Sequence, residues 1–249
     1  TAILPTLPDK PSIAVLPFQN IGGDAEQEYF ADGIVEDIIT ALSRFKSLFV
    51  IARNSTFIYK GKAIEAKRLG EELGVRYVLE GSVRKSANRI RITGQLIDAA
   101  SGAHLWADKY DGVLEDIFGL QDQVAASVVG AIVPSLAQAE IDRAKRKPVN
   151  NLDAYDCYLQ GLAAHWQYTK DDNQHAISFF ERSVALDPQF APAHSALSSA
   201  LSVRRTWDWS VDPAKDAFRS VACANDALRL GRQDPLVLAQ SAVGLLFCG

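Results

Sequence analysis

Residues 77–110 read YVLEGSVRKSANRIRITGQLIDAASGAHLWADKY, and they decide the fold of the first half of the chain. In the first segment Tyr77, Leu79 and Val83 alternate with Val78, Glu80, Ser82 and Arg84. In the second, Ile90, Ile92 and Leu96 alternate with Arg89, Arg91, Thr93 and Gln95. The third carries His104, Trp106, Asp108 and Tyr110 on one side, with Ala103, Leu105, Ala107 and Lys109 on the other. A period of two predicts strands with one face on a core and one toward water. Ser86-Ala87-Asn88 and Ala100-Ser101-Gly102 supply the small and polar residues of two turns. Such a meander needs helices over its apolar face. No catalytic pattern stands out in it, and Trp106 reads as a packing residue with its indole N–H bonded. A scaffold that binds or transmits is the first expectation.

Outward from the meander, Ser12 to Leu16 (SIAVL) is a continuous apolar run ended by Pro17, as in a strand covered on both faces. After a loop containing Gly22-Gly23, a helix is expected from Glu26. Its stripe is Phe30, Ile34, Ile38, Leu42 and Phe45, with acids early and bases late. Leu48 to Ala52 (LFVIA) predicts a second buried strand, and Lys62 to Leu73 a second helix capped by Gly74. Val113 to about Ala144 predicts a third helix, with Ile117, Phe118, Gln121, Val124, Val128 and Ile132 inward and a kink or split at Pro134. The order β-α-β-α-β-β-β-α describes an α/β domain with a mixed sheet. Its first three strands run parallel and the last two add antiparallel.

Residues 1–11 hold several prolines and read as a linker, residues 12–147 as the α/β domain, and residues 151–249 as an all-helical second domain. The charged segment Arg143 to Pro148 (RAKRKP) marks the boundary; it could attract an acidic partner, although a solvated helix end is the simpler reading. In the second half, Ala176, Phe180, Ser183 and Pro188 fall at the spacing of the second helix of a tetratricopeptide repeat. Tyr158, Gly161 and Leu162 fit the first helix. A second helix pair is expected over Ala193 to Val203 and Asp216 to Leu230, joined by an enlarged connection bearing Trp207 and Trp209. Pro235 to Gly249 would begin a third repeat.

The bulk composition narrows the function classes. With 249 residues the chain has room for one large or two ordinary domains, at roughly 100–200 residues each. A net charge of −4 gives no reason to expect direct nucleic-acid binding. Cys157, Cys223 and Cys248 are too sparse for a disulfide framework and suit a reducing, cytoplasmic setting. No run approaches the ~20 apolar residues that span a bilayer, and residues 1–10 lack a signal-peptide pattern. The non-methionine start and the apolar helix pattern at the end read as a piece of a longer protein.

No catalytic, metal or cofactor site is expected. His104, His165, His175 and His194 lack metal-ligand spacing, and there is no GxSxG, P-loop or GxGxxG. The loops after the first two strands are the candidate small-ligand site, because open α/β sheets bind there. They offer Gln19, Asn20, Gly22 and Gly23, then Arg53, Asn54 and Ser55. Backbone amides at the helix start and the Arg53 guanidinium would suit an anion. The simpler alternative is that Gly22-Gly23 makes a turn while Asn54 and Ser55 hold a loop. In the repeats, Tyr158, Leu162, His165, Ser199 and Ser202 are the candidate lining of a groove for a protein or peptide partner. Docking of that groove on another part of the chain is the alternative.

The segments KPSIAVLPFQNIGGDAEQEYFADGIVEDIITALSRF, LFVIARNSTFIYKGKA and LGVRYVLEGSVRKSANRIRITGQLIDAASGAHLWADKYD together resemble a bacterial family. Its members carry a TolB N-terminal-like α/β domain followed by tetratricopeptide repeats. The resemblance covers the first domain almost end to end, while the long loop before Ala176 and the Trp207–Trp209 insertion depart from regular repeats. It implies the C-terminal, non-enzymatic sensor or interaction part of a signalling protein. The output domain would be a class III adenylate/guanylate cyclase, which the proline-rich entry favours, or a winged-helix regulator. A periplasmic envelope or trafficking role like that of TolB is the further alternative.

Overall fold

The computed structural model describes residues 10–22, 25–86, 89–113, 117–147 and 152–249. Most of the expected linker, Gly23, and the tip of the first meander turn lie outside those residues. Among the described residues an α/β domain with a six-stranded mixed sheet precedes a helical region. By packing, the chain divides into two compact units, residues 1–43 with 47–136 and residues 44–46 with 137–249.

The sheet runs β3 (Phe49–Val50), β1 (Ser12–Val15), β4 (Tyr77–Ser86), β5 (Arg89–Asp98) and β6 (His104–Val113), with β2 (Gln19–Asn20) pairing β4 beyond the end of β1. The β3–β1–β4 pairs are parallel and the β4–β5–β6 pairs antiparallel, as the order of elements predicts. β1 and β2 are two pieces of one line of chain along β4. Val15 pairs Leu79 and Gln19 pairs Ser82, so four steps on one side match three on the other. Pro17 sits in this interruption, where its missing N–H leaves no ladder bond to lose. The extra residue reverses the side-chain alternation. Phe18 turns into the core at 2% exposure and Gln19 turns to the opposite face.

That inner face carries Ile13, Val15, Tyr77, Leu79, Val83, Ile90, Ile92 and Leu96, all buried. It is covered by α1 (Ala25–Leu42) and α4 (Ile117–Ala144). Phe30, Ile34, Ile38 and Leu42 form the expected stripe on α1, and Val124, Val128 and Ile132 that of α4. Gln121 is buried and its Nε2 donates to the Phe30 carbonyl at 3.1 Å, locking the two helices. The opposite face is covered only in part, by α2 (Arg53–Phe57), α3 (Ala66–Leu73) and the segment between them. There Leu69 and Leu73 meet Ala14, Val75, Val78 and Ala99. Gly74 caps α3 with φ 64°, its N–H donating to the Gly70 carbonyl.

Several expectations are corrected. The segment expected as a buried strand over Leu48–Ala52 is a two-residue edge strand with Phe49 48% exposed, because it has β1 on one side alone. Val113 ends β6 instead of beginning a helix, and Phe45 lies beyond the end of α1. Phe118 is 74% exposed, since the inward stripe of α4 starts only at Leu120 and Gln121. Pro134 does not split α4, which is continuous over 28 residues. The part of α4 from Phe118 to Ala144 is long and apolar enough to cross a membrane by length and composition; as folded here its stripe packs on the sheet domain. A bulge between Leu96 and Ile97 places His104 opposite Ile97 and Trp106 opposite Leu96, so these two do not share a face.

The helical region comprises the last two turns of α4, then α5 (Ala154–His165), α6 (Lys170–Leu186), α7 (Ala191–Thr206), α8 (Pro213–Gly231) and α9 (Pro235–Cys248). Asp153 and Asp156 form a reciprocal capping box at the start of α5, and Lys147 Nζ donates to both Asp156 oxygens at 2.6 and 2.7 Å. Gly161 lets α5 and α6 close up: a methyl there would come within 2.4 Å of the Phe180 ring. α7 is buried on every side from Ala191 to Ser202, which makes it the centre of the region. Its small residues admit close neighbours. Ser198 Oγ donates to the Ser220 carbonyl of α8 at 2.8 Å, and Gly244 of α9 packs against the same serine. The enlarged connection after α7 is tied down by Asp216, which accepts from Arg204 Nε at 2.8 Å and also from Ser210. Trp207 and Trp209 stack there with ring centroids 5.6 Å apart.

A candidate recognition groove on the uncovered sheet face

Where α3 stops, the outer face of the sheet continues uncovered as a groove of about 1000 Å³. The pairing register builds its floor in rows. Glu80, Gln95 and Ala107 lie side by side across β4, β5 and β6, and Ser82, Thr93 and Lys109 form the next row. Gln19 joins the Ser82 end because of the interruption at Pro17. Tyr59, Lys62 and Glu65, between α2 and α3, form one wall. Leu16, Ile64 and Leu69 add an apolar strip.

The floor is hydrogen-bonded at its centre. Ser82 Oγ and Thr93 Oγ1 are 2.7 Å apart, and Gln95 Nε2 donates to Glu80 Oε1. Tyr59 donates to Glu72 at 2.9 Å, and burial, then that carboxylate, raises its pKa. This set offers donors and acceptors for orienting a ligand along with an apolar strip for affinity, the usual balance in a binding site. It aligns no nucleophile with a base. Among the described residues no three His, Cys, Asp or Glu side chains are grouped to hold a metal ion.

The polar groups of the strand-end loops engage nearby side chains, chiefly acids of α1. Asn20 Oδ1 accepts from the Gly22 N–H at 3.0 Å, and its side chain also bonds Glu28. Lys60 bridges Glu28 at 2.7 Å and Asp32 at 2.6 Å. Burial works against the Lys60 charge, yet these two carboxylates raise its pKa overall, and the bond from Lys60 lowers that of Glu28. Arg53 lies 3.7 Å over the Phe57 ring and within 3.7 Å of Glu36 and 4.0 Å of Asp32. An anion at Arg53 would therefore compete with two carboxylates. Asn54 and Ser55 are exposed in α2, Gln19 lines the groove, and Gly23 lies outside the described residues.

In the helical region Tyr158, Leu162, His165, Ser199 and Ser202 are each under a tenth exposed. Tyr158 packs edge-on to Phe190 at 5.3 Å, and Leu162 belongs to the same cluster. His165 sits near Phe180 with its pKa lowered by burial. Ser202 Oγ donates to the Ser199 carbonyl at 2.8 Å.

The groove residues were visible in the sequence only as the polar half of the meander's alternation. Nothing local says which part of a sheet face a helix will leave open.

Residues 9–126 match the family described as HilA/YgeH-like transcriptional regulator, second domain, a span just under half of the chain. Over 231 residues, 93% of the chain, the sequence is 45% identical to a Rhizobium meliloti (strain 1021) protein named "Putative adenylate cyclase 3". The chain spans 39% of that relative's length. Among solved structures, TolB from Acinetobacter baumannii is 22% identical with a TM-score of 0.39, covering 54% of this chain and 30% of that one. Lipoprotein GNA1162 from Neisseria meningitidis is 21% identical with a TM-score of 0.38, covering 49% of this chain and 96% of that one.

Proposed function

We propose that this chain is the non-enzymatic regulatory region of a bacterial signalling protein whose output domain is an adenylate/guanylate cyclase. The observation that carries the reading is the 45% identity running through 93% of the chain to part of a much longer protein named as a cyclase. The uncovered sheet groove is the recognition site of the α/β domain, with Ser82, Thr93, Gln95 and Lys109 presented to a polar ligand. The helical region is a tetratricopeptide-like arm for a protein or peptide partner. Its support is the pairing of Gly161 with Phe180 across α5 and α6, with Ala176 and Ser183 buried on the same helix. Ligand or partner binding shifts the arrangement of the unit, and the change is passed to the output domain. On this reading the chain works in the cytoplasm, where nucleoside triphosphates are.

The match of residues 9–126 to the HilA/YgeH-like second domain favours a second reading, a regulatory region serving a transcription regulator. The two differ in output and not in what this chain does. The proposal of no intrinsic catalysis is tested by incubating the chain with ATP or GTP and Mg²⁺ or Mn²⁺. No cyclic nucleotide should form, and sustained turnover would overturn it.

A further inference from the structure

The β4–β5 hairpin carries a second, smaller cavity of about 200 Å³, lined by Arg84, Ser86, Arg89, Arg91 and Asp111, with Ile90 behind. The register explains how these side chains meet. Arg84 pairs directly with Arg91, Ser86 with Arg89, and Arg91 with Asp111 on β6. All five therefore rise from the same face of the sheet as the groove, in the rows next to Ser82, Thr93 and Lys109. All five residues are exposed.

Among the described residues, three guanidinium groups thus share one patch with a single carboxylate. Arg91 uses that carboxylate fully, donating from Nε at 2.6 Å and from Nη2 at 2.9 Å in a fork. The guanidinium groups of Arg84 and Arg89 make no side-chain hydrogen bond to any described residue, although, after the bond from Arg91, the charge of Arg89 helps to lower the pKa of Asp111. Like charges placed directly opposite across a ladder are unfavourable. A solvated hairpin would be served as well by alternating signs. A group with several anionic oxygens relieves the repulsion by accepting from the forks of Arg84 and Arg89, with the Ser86 hydroxyl as a further donor.

We infer that this pocket binds a phosphate-type oxyanion, held by Arg84 and Arg89 and oriented by Arg91 through its fixed pair with Asp111. Its volume lies below the ~300–1000 Å³ usual for whole small-molecule ligands, which suits one compact anionic group. The groove continues from it along the same face, so the anion is either free phosphate or the phosphate of an ester whose polar body lies over Ser82 and Thr93. The inference uses residues separate from the groove, and either can fail without the other.

The test is titration of the 249-residue chain with inorganic phosphate and, separately, with ribose 5-phosphate and unphosphorylated ribose, followed by backbone amide NMR. Both anions should shift amides of β4 and β5 near Arg84 and Arg89, and ribose alone should not. Arg84→Gln and Arg89→Gln should each weaken binding at least about tenfold, as expected for loss of charge-assisted bonds. Both sites are exposed, so the variants should keep the wild-type spectrum elsewhere. Tighter binding of the ester assigns a ligand extending into the groove; equal binding assigns free phosphate. Absence of saturable shifts at 20 mM phosphate, or equal affinity in wild type and both variants, would overturn the inference.

Discussion

Gly81 on β4 pairs directly with Gly94 on β5, and an aromatic ring rests on each: Phe18 over Gly81 and Trp106 over Gly94. The two contacts are unequal. A methyl at Gly81 would come within 2.4 Å of the Thr93 carbonyl and 2.7 Å of the Phe18 ring, whereas one at Gly94 would meet the Trp106 ring edge at 3.2 Å. Phe18 is fixed in the core by the interruption at Pro17, so it cannot retreat. Gly81→Ala should cost about 1–3 kcal/mol through overpacking, and Gly94→Ala less. Urea denaturation of the two variants side by side checks the order; equal midpoints would contradict it.

A second prediction concerns acid stability. Asp216 is 4% exposed. Burial alone would raise its pKa, but the bonds from Arg204 and Ser210 outweigh that and hold it below the ordinary value of 3.8. A group with a depressed folded pKa stabilises fully above its unfolded value and loses that contribution as the pH falls through the folded one. Asp216→Ala leaves the poorly solvated Arg204 charge with the Gln174 amide oxygen in place of a carboxylate, at a cost of about 3–5 kcal/mol at neutral pH. The gap in unfolding free energy between wild type and Asp216→Asn should narrow as the pH drops below about 4. A gap independent of pH between 3 and 7 would contradict the pairing.

The Lys60 pair with Glu28 and Asp32 should behave differently. Its ammonium is a third exposed, so water and salt screen it. Lys60→Ala should cost no more than about 1 kcal/mol, with most of the effect lost in 1 M salt. Denaturation at low and high salt checks this.

The start of α5 offers a local test. Asp153→Ala removes the acceptor for the Asp156 N–H and half of the capping box. A loss of about 1 kcal/mol is expected, and Asp153→Asn or Asp153→Ser should restore most of it.

The meander, the α1 stripe, the Gly74 cap and the change from mixed sheet to helices were readable because each is a local pattern. The missed elements are those whose cause is distant. Gln19-Asn20 has no periodicity and becomes a strand only because Ser82 and Val83 offer an open edge. The five-residue α2 begins at Arg53 with no capping side chain on Ala52, and its anchors are acids on α1. The candidate groove was written in the chain as Glu80, Ser82, Thr93, Gln95 and Lys109, the water-facing half of an ordinary alternation. Its being an open site depends on α3 ending short of those rows, which no residue in them encodes. The three arginines of the hairpin were equally visible, but only the register sets Arg84 opposite Arg91 and turns Arg89 to the same face.

The most direct test of the proposed regulatory role is cyclic-nucleotide production by a protein that joins this region to a cyclase domain, with and without residues 12–249. Removal of this region should change the rate of cyclic-nucleotide formation while leaving the output domain able to turn over. Identical rates for the intact and truncated proteins would contradict the account.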